Sequence, residues 1–192
     1  MKKILFIAFL LIPFIGFSQT TKPIDGVLGI KFGCSKAAFI AAIKAKGGVI
    51  DKAHTNAGQI AFKNIKFGQH APLGLAARFF NDKFYFAILL FKADLDPKTI
   101  EYYDSIVADL NDVYGAGTPT KTFSSGFADG DGNEVTAIEG GYAQYSTDWE
   151  SDNNNSIHVS INNNLLIMLS YQDGDIRAKA DAKQASKDKA DY

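Results

Sequence analysis

The sequence predicts an α+β protein of two α-β-β-β(-β) units, each an antiparallel sheet covered by one helix. Two helical stretches are each followed by strand-length runs of alternating apolar residues. Each run ends in a hairpin, at Asn81-Asp82-Lys83 in the first half and Asn162-Asn163-Asn164 in the second. The pattern repeats between halves, although few letters do.

The first unit spans 19–95. Thr20, Thr21 and Pro23 read as an extended lead-in, and Gly26 to Gly33 as a short apolar segment ending in a turn. Ser35 is an N-cap, because its hydroxyl can accept from a free amide of the first helical turn. Phe39, Ile40 and Ile43 then recur at helical spacing among alanines until Gly47-Gly48 stops the helix. Strands are expected at Ile60–Phe62, Ile65–Phe67, Leu73–Phe79 and Phe84–Leu90, with His54 on a loop and His70 on a turn. The run at 84–91 is apolar on both faces, so that strand should be central and covered on both sides.

The second unit spans 96–176. Asp96-Pro97 supplies an N-cap with proline at N1, where its missing amide costs nothing. Ile100, Tyr103, Val107, Leu110 and Tyr114 define one face of a helix over 97–114, and Gly115 ends it. A loop follows, then strands beginning at Val135 and Ala137, at Ala143–Trp149, at Ile157–Ile161 and at Leu165–Tyr171. From Arg177 to the end, Ala, Lys, Asp, Gln and Ser leave no apolar face, which predicts a solvated tail over 177–192.

Residues 1–18 read as a secretory signal peptide. Lys2 and Lys3 precede the apolar run Ile4–Ile12, Pro13 breaks it, and Gly16 and Ser18 place small residues at −3 and −1 of a cut before Gln19. The stretch Ile4–Phe17 is too short and too interrupted for a spanning helix, which needs about 20 apolar residues. The expected location is periplasmic or secreted, with no membrane span after cleavage. Of 20 Lys and Arg, losing Lys2 and Lys3 leaves 18 against 21 acidic residues. That balance argues against nucleic acid, which requires clustered cations to displace phosphate counterions. Cys34 is the only cysteine, so intrachain disulfides and CxxC chemistry are excluded. It reads as a small, partly buried residue beside a helix start, and less readily as a thiolate activated there.

The string Gly29-Ile30-Lys31-Phe32-Gly33-Cys34-Ser35, leading into an Ala-rich helix and paired strands, resembles the opening of small exported bacterial proteins. These include the SmpA/OmlA outer-membrane assembly lipoproteins and the tandem β-lactamase inhibitor proteins. The resemblance implies a helix-plus-antiparallel-sheet fold and a non-catalytic style of action. It transfers no functional residue, since the lipoproteins' cysteine position holds Gln19 here and the inhibitors' disulfides have no counterpart.

Three constellations could carry chemistry. Asp129, Asp131 and Asn133 match the first three ligand positions of a calcium loop, making calcium the one cofactor the pattern admits. The match ends there, with Glu134 where glycine belongs and Gly140 where glutamate belongs. Asp148 and Glu150 share a strand face, and a small glycan or peptide hydrolase would draw two carboxylates from among Asp129, Asp131, Asp148 and Glu150; a charged rim is the plainer reading. Tyr145 and Trp149 are in phase on one strand and, with Tyr142, could form a platform for a sugar or peptide; core packing under the second helix is the alternative. HExxH, GxSxG and phosphate-loop patterns are absent from the sequence. The expected function is therefore an exported, non-enzymatic binding or interaction module of the bacterial envelope. Its partner would be an envelope protein or glycan, met by a sheet face or by the loops at 124–134 and 148–156.

Overall fold

The computed structural model describes residues 22–190; the signal peptide expected over 1–18 lies outside them. A small hairpin opens the fold, Gly26–Val27 (β1) against Ile30–Lys31 (β2). Ser35 then caps helix Lys36–Ala45 (α1) by accepting from the Ala38 amide at 3.2 Å. Four strands follow: Val49–Asn56 (β3), Gln59–Lys63 (β4), Gly74–Phe80 (β5) and Lys83–Lys92 (β6). The second helix, Thr99–Tyr114 (α2), leads to Thr118–Phe123 (β7), a short helix Glu134–Glu139 (α3), and strands Ala143–Glu150 (β8), Asn155–Ile161 (β9) and Leu166–Asp173 (β10). A last helix spans Gly174–Ala190 (α4).

The α+β class with antiparallel strands is as the sequence predicts, but the expected pair of sheets is one. Apart from the β1-β2 hairpin, the strands form a single eight-stranded sheet in the order β3-β4-β5-β6-β10-β9-β8-β7. The two four-strand meanders meet at β6 and β10, paired antiparallel from Leu166↔Lys92 to Gln172↔Phe86. They differ in detail, since α3 interrupts only the second. The run at 84–91 takes the central position its two apolar faces require.

One face of the sheet carries the core. Phe39 of α1 packs on Phe84 with ring centroids 4.3 Å apart, and Phe62, Leu89, Ile167 and Tyr171 continue the same layer. Tyr103, Ile106 and Leu110 bring α2 onto this face, and Ala137 and Ile138 bring α3. The loop at 64–72 is fastened to α2 where Nε2 of His70 meets Asp109 at 3.0 Å.

Several elements depart from the sequence reading, each for a physical reason. Asp96 is not the cap of α2. Asp96–Lys98 is a 3-10 turn, Lys98 occupies the cap position of α2 without a side-chain bond, and the Asp96 carboxylate pairs with Lys92 at 3.4 Å. Val135 and Ala137 belong to α3 instead of a strand, because Val135 and Ile138 share a helical face. Ile65–Phe67 is a loop with Ile65 buried and Phe67 half-buried, closed by two backbone bonds between Phe67 and His70. Strands β3 and β7, both unforeseen, are the two sheet edges; their polar residues, Pro119 in β7 and a register shift in β3 are what edges carry to avoid further pairing. His54 therefore lies on a strand. The tail expected to be unstructured is helical as far as Ala190, since Ala, Lys, Gln and Arg favour helix and Arg177–Asp181 and Gln184–Asp188 are bonded at i,i+4 spacing.

Candidate functional site

The face opposite α1, α2 and α3 is covered only in part, by α4. One register row crosses all eight strands there, from Asp51 through Ala61, Ala76, Ile88, Ser170 and His158 to Asp148 and Thr118. The next row holds Gly74, Leu90, Met168, Ser160, Ser146 and Thr120. The outer face thus divides into an apolar half, with Ile88, Leu90 and Met168 half-buried, and a hydroxyl-rich half. Leu73, 61% exposed, borders the apolar half.

A carboxylate–imidazole pair stands at each side of this face. Nδ1 of His54 meets Asp51 at 2.7 Å, and Nδ1 of His158 meets Asp148 at 2.7 Å. The His54 hydrogen bond, helped by the Ala53 amide, holds the Asp51 carboxyl below the usual carboxylate range. Asp51 and His54 overhang a groove of about 370 Å³ with a small-residue floor of Ala61, Gly74 and Ala76. Six strand intervals separate Asp51 from Asp148, roughly 29 Å at about 4.8 Å each.

Asp148, His158 and Ser170 lie side by side on adjacent strands, in the order carboxylate, imidazole, hydroxyl. An ionised carboxylate only accepts, so Nδ1 of His158 is the protonated nitrogen and Nε2 is left to other partners. Among the described residues no hydrogen bond joins that nitrogen to Ser170, whose hydroxyl donates to the His158 carbonyl at 3.5 Å. Both members of the pair are 44% exposed, on an open strand surface instead of a shielded crevice.

A cleft of about 840 Å³ at the end of β8 shares Asp148 with this pair and is lined also by Lys22, Ile24, Tyr114, Glu150 and Asp152. Asp129 and Asp131 are elsewhere. They follow Phe123, which pairs with Ala143 at the far end of β8, whereas Asp148 pairs with Thr118. Of the four carboxylates named for hydrolysis, Asp148 and Glu150 line this cleft together, whereas Asp129 and Asp131 lie apart from it.

The aromatic residues lie apart as well. Tyr145 and Trp149 are 3% and 4% exposed on the inner face. Tyr145 meets Tyr103 and Phe123 edge-on, and Trp149 donates from Nε1 to the Gly115 carbonyl at 2.8 Å. Both serve as core, so no open platform forms from them. Tyr142 is 43% exposed, but its ring stacks on Phe127 at 5.6 Å and covers Gly140, where an added Cβ would fall 2.7 Å from it.

In the 128–134 loop the two aspartates proposed for calcium accept hydrogen bonds from within the chain. Asp129 accepts from Lys121 Nζ at 2.7 Å, and Asp131 accepts from the amides of Ala128 at 3.0 Å and Asn133 at 2.7 Å. Glu134 accepts from the Gly130 amide at 2.8 Å. Among the described residues no group of three or more His, Cys, Asp or Glu side chains is placed to hold a metal ion. Burial pushes the Cys34 thiol up, away from thiolate character.

No family model matches the chain, and no curated protein or solved structure matches it. The likeness of Gly29–Ser35 to the assembly lipoproteins and inhibitor proteins rests on those residues alone. Among the described residues, no helix is long and apolar enough to cross a membrane. On the outer face, Asp148 was named from sequence, whereas its bond to His158 and the Asp51–His54 pair were not. Ile88 and Leu90 carried the signal, as the second apolar side of a central strand, while Asp51 and His54 sat in a polar edge with no readable period.

Proposed function

We propose that this chain is an exported, non-enzymatic binding or interaction module of the bacterial cell envelope, and that it meets its partner with the outer face of the sheet. The observation that carries this reading is the apolar half of that face. Ile88, Leu90 and Met168 sit at mid-sheet on the side away from α1, α2 and α3. Contiguous apolar surface rimmed by polar residues favours association with another macromolecule. Export, to the periplasm or beyond, rests on the leader pattern of residues 1–18. Of the candidate carboxylates only Asp148 and Glu150 line one cleft, and Asp148 is 44% exposed and bonded to His158, which weighs against the hydrolase alternative.

The test is capture from an envelope extract by the mature chain, compared with Leu90→Asp and Met168→Asp. The expected result is a reproducible partner lost from both variants while their thermal transitions stay close to the parent's. A partner retained by both, but lost on Tyr142→Ala or on changes in the 148–156 loop, would contradict the outer-face reading.

A further inference from the structure

Helix α4 lies on the outer face, and its hold there is slight. It packs across β5, β6, β10 and β9 at one end of the strands. Asp173 caps it by accepting from the Ile176 amide at 2.8 Å, Asn154 donates to Asp175 at 3.1 Å, and Arg177 donates to Gln172. Further along, Lys183 Nζ stands 5.5 Å from the centre of the Phe80 ring. Ile176, Ala180 and Lys183 form the stripe that faces the sheet, at i, i+4 and i+7. Ile176 and Ala180 are only half-buried, and every residue from Asp181 to Lys189 is exposed.

We infer that the end of the outer face beneath α4 is a seat for an amphipathic helix of a partner protein, which α4 occupies as a weak internal stand-in. This rests on the outer-face reading above and names the partner's shape. Three observations support it. The seat already accommodates a helix, laid across four strands. The stripe α4 offers is poor, with Ala180 and Lys183 where a well-docked helix would place large apolar groups over the half-buried Phe80 and Phe86. The charges also disagree. Arg78 stands over Phe86 at 5.3 Å and Lys83 pairs with Phe80, so the hairpin end of the seat carries two cations against the one carboxylate of Asp82, which accepts from the Lys36 amide. Into this end α4 brings Lys183, with Lys187 one turn further on. A partner helix with leucine or phenylalanine on the stripe and carboxylates in its C-terminal half fits the seat better on both counts. Strand addition is the less suitable mode, because the sheet edges are β3, with its register shift, and β7, with Pro119.

Isolated helices of this length are marginal in water, so α4 should fray when it leaves the sheet. The experiment uses the full chain and a fluorescein-labelled peptide of residues 174–190 carrying Ala180→Leu, Lys183→Leu and Lys187→Glu, with binding read by anisotropy. Loosening α4 in the chain by Ile176→Asp should tighten peptide binding at least tenfold. Improving it in the chain by Ala180→Leu with Lys183→Leu should weaken binding at least tenfold. Phe86→Ala in the seat should abolish it, and Phe80→Ala is the second seat variant should Phe86→Ala fail to fold. Equal affinity for parent, loosened and improved chains, or no binding to the loosened chain, overturns the inference. Loss of capture on Leu90→Asp alongside a failed peptide would leave the outer-face reading standing without the helix seat.

Discussion

Tyr103 on α2 and Thr147 on β8 share a buried hydrogen bond of 2.7 Å between their hydroxyls. It fastens the helix side of the molecule to the inner face of the sheet, where Thr147 is 2% exposed and has no access to water. Tyr103→Phe leaves the Thr147 hydroxyl unpaired and should cost about 1–3 kcal/mol in denaturant unfolding. Thr147→Val on top of it removes the stranded group, so the double variant should lose less than the sum of the singles. Strict additivity would mean the bond contributes nothing.

Gly117 faces the only tryptophan. A Cβ there would fall 2.5 Å from the Trp149 indole, whereas one at Gly126 would meet nothing within 4 Å. Gly117→Ala must displace a ring fixed by its bond to the Gly115 carbonyl, and overpacking of that kind costs about 1–3 kcal/mol. Gly126→Ala is penalised through its left-handed φ of 85° alone, by about 1–2 kcal/mol. Tryptophan emission separates the two: it should shift for Gly117→Ala and stay unchanged for Gly126→Ala.

Asp131 gives the 128–134 loop a pH dependence of definite sign. The Ala128 and Asn133 amides that it accepts hold its carboxyl below the ordinary 3.8. A folded-state value below the unfolded one means that the contribution is complete above about 3.8 and is lost as pH falls through the depressed value. Exchange protection of the Ala128 and Asn133 amides should therefore persist at pH 5, decline below pH 3.8, and vanish at all pH values in Asp131→Ala. Protection that began to fail near pH 6 would point to a different group.

The same bonds set an expectation for calcium. An ion at Asp129, Asp131 and Asn133 would compete with the Lys121 ammonium for Asp129 and share the Asp131 oxygens with two backbone amides. Calorimetric titration with millimolar calcium should give no heat. Heat that disappears in Asp131→Ala would establish the site.

What could be read from the sequence followed from apolar periodicity. Phe39 and Ile43, Tyr103 and Leu110, and the alternation at Tyr145–Trp149 and Ile157–Ile161 each mark a buried face, and each element formed. Where burial is slight the pattern is silent, which is why polar edge strands such as Thr118–Phe123 went unread. Two apolar residues two apart, as at Val135 and Ala137, also fit a helix once Ile138 is counted. The joining of the halves at β6 and β10 is a long-range pairing that local spacing does not encode. Tyr145 and Trp149 illustrate the same limit at the candidate site: alternation places them on one face but does not say which face the helices cover.

The central claim is that the side of the sheet bearing Leu90 and Met168 is the working surface. Its most direct measurement is photo-cross-linking in envelope extract with a reactive residue placed at Met168, on the open side, or at Lys44, on the exposed back of α1. The account predicts a discrete adduct from position 168 and none from position 44. Adducts from position 44 alone would contradict it.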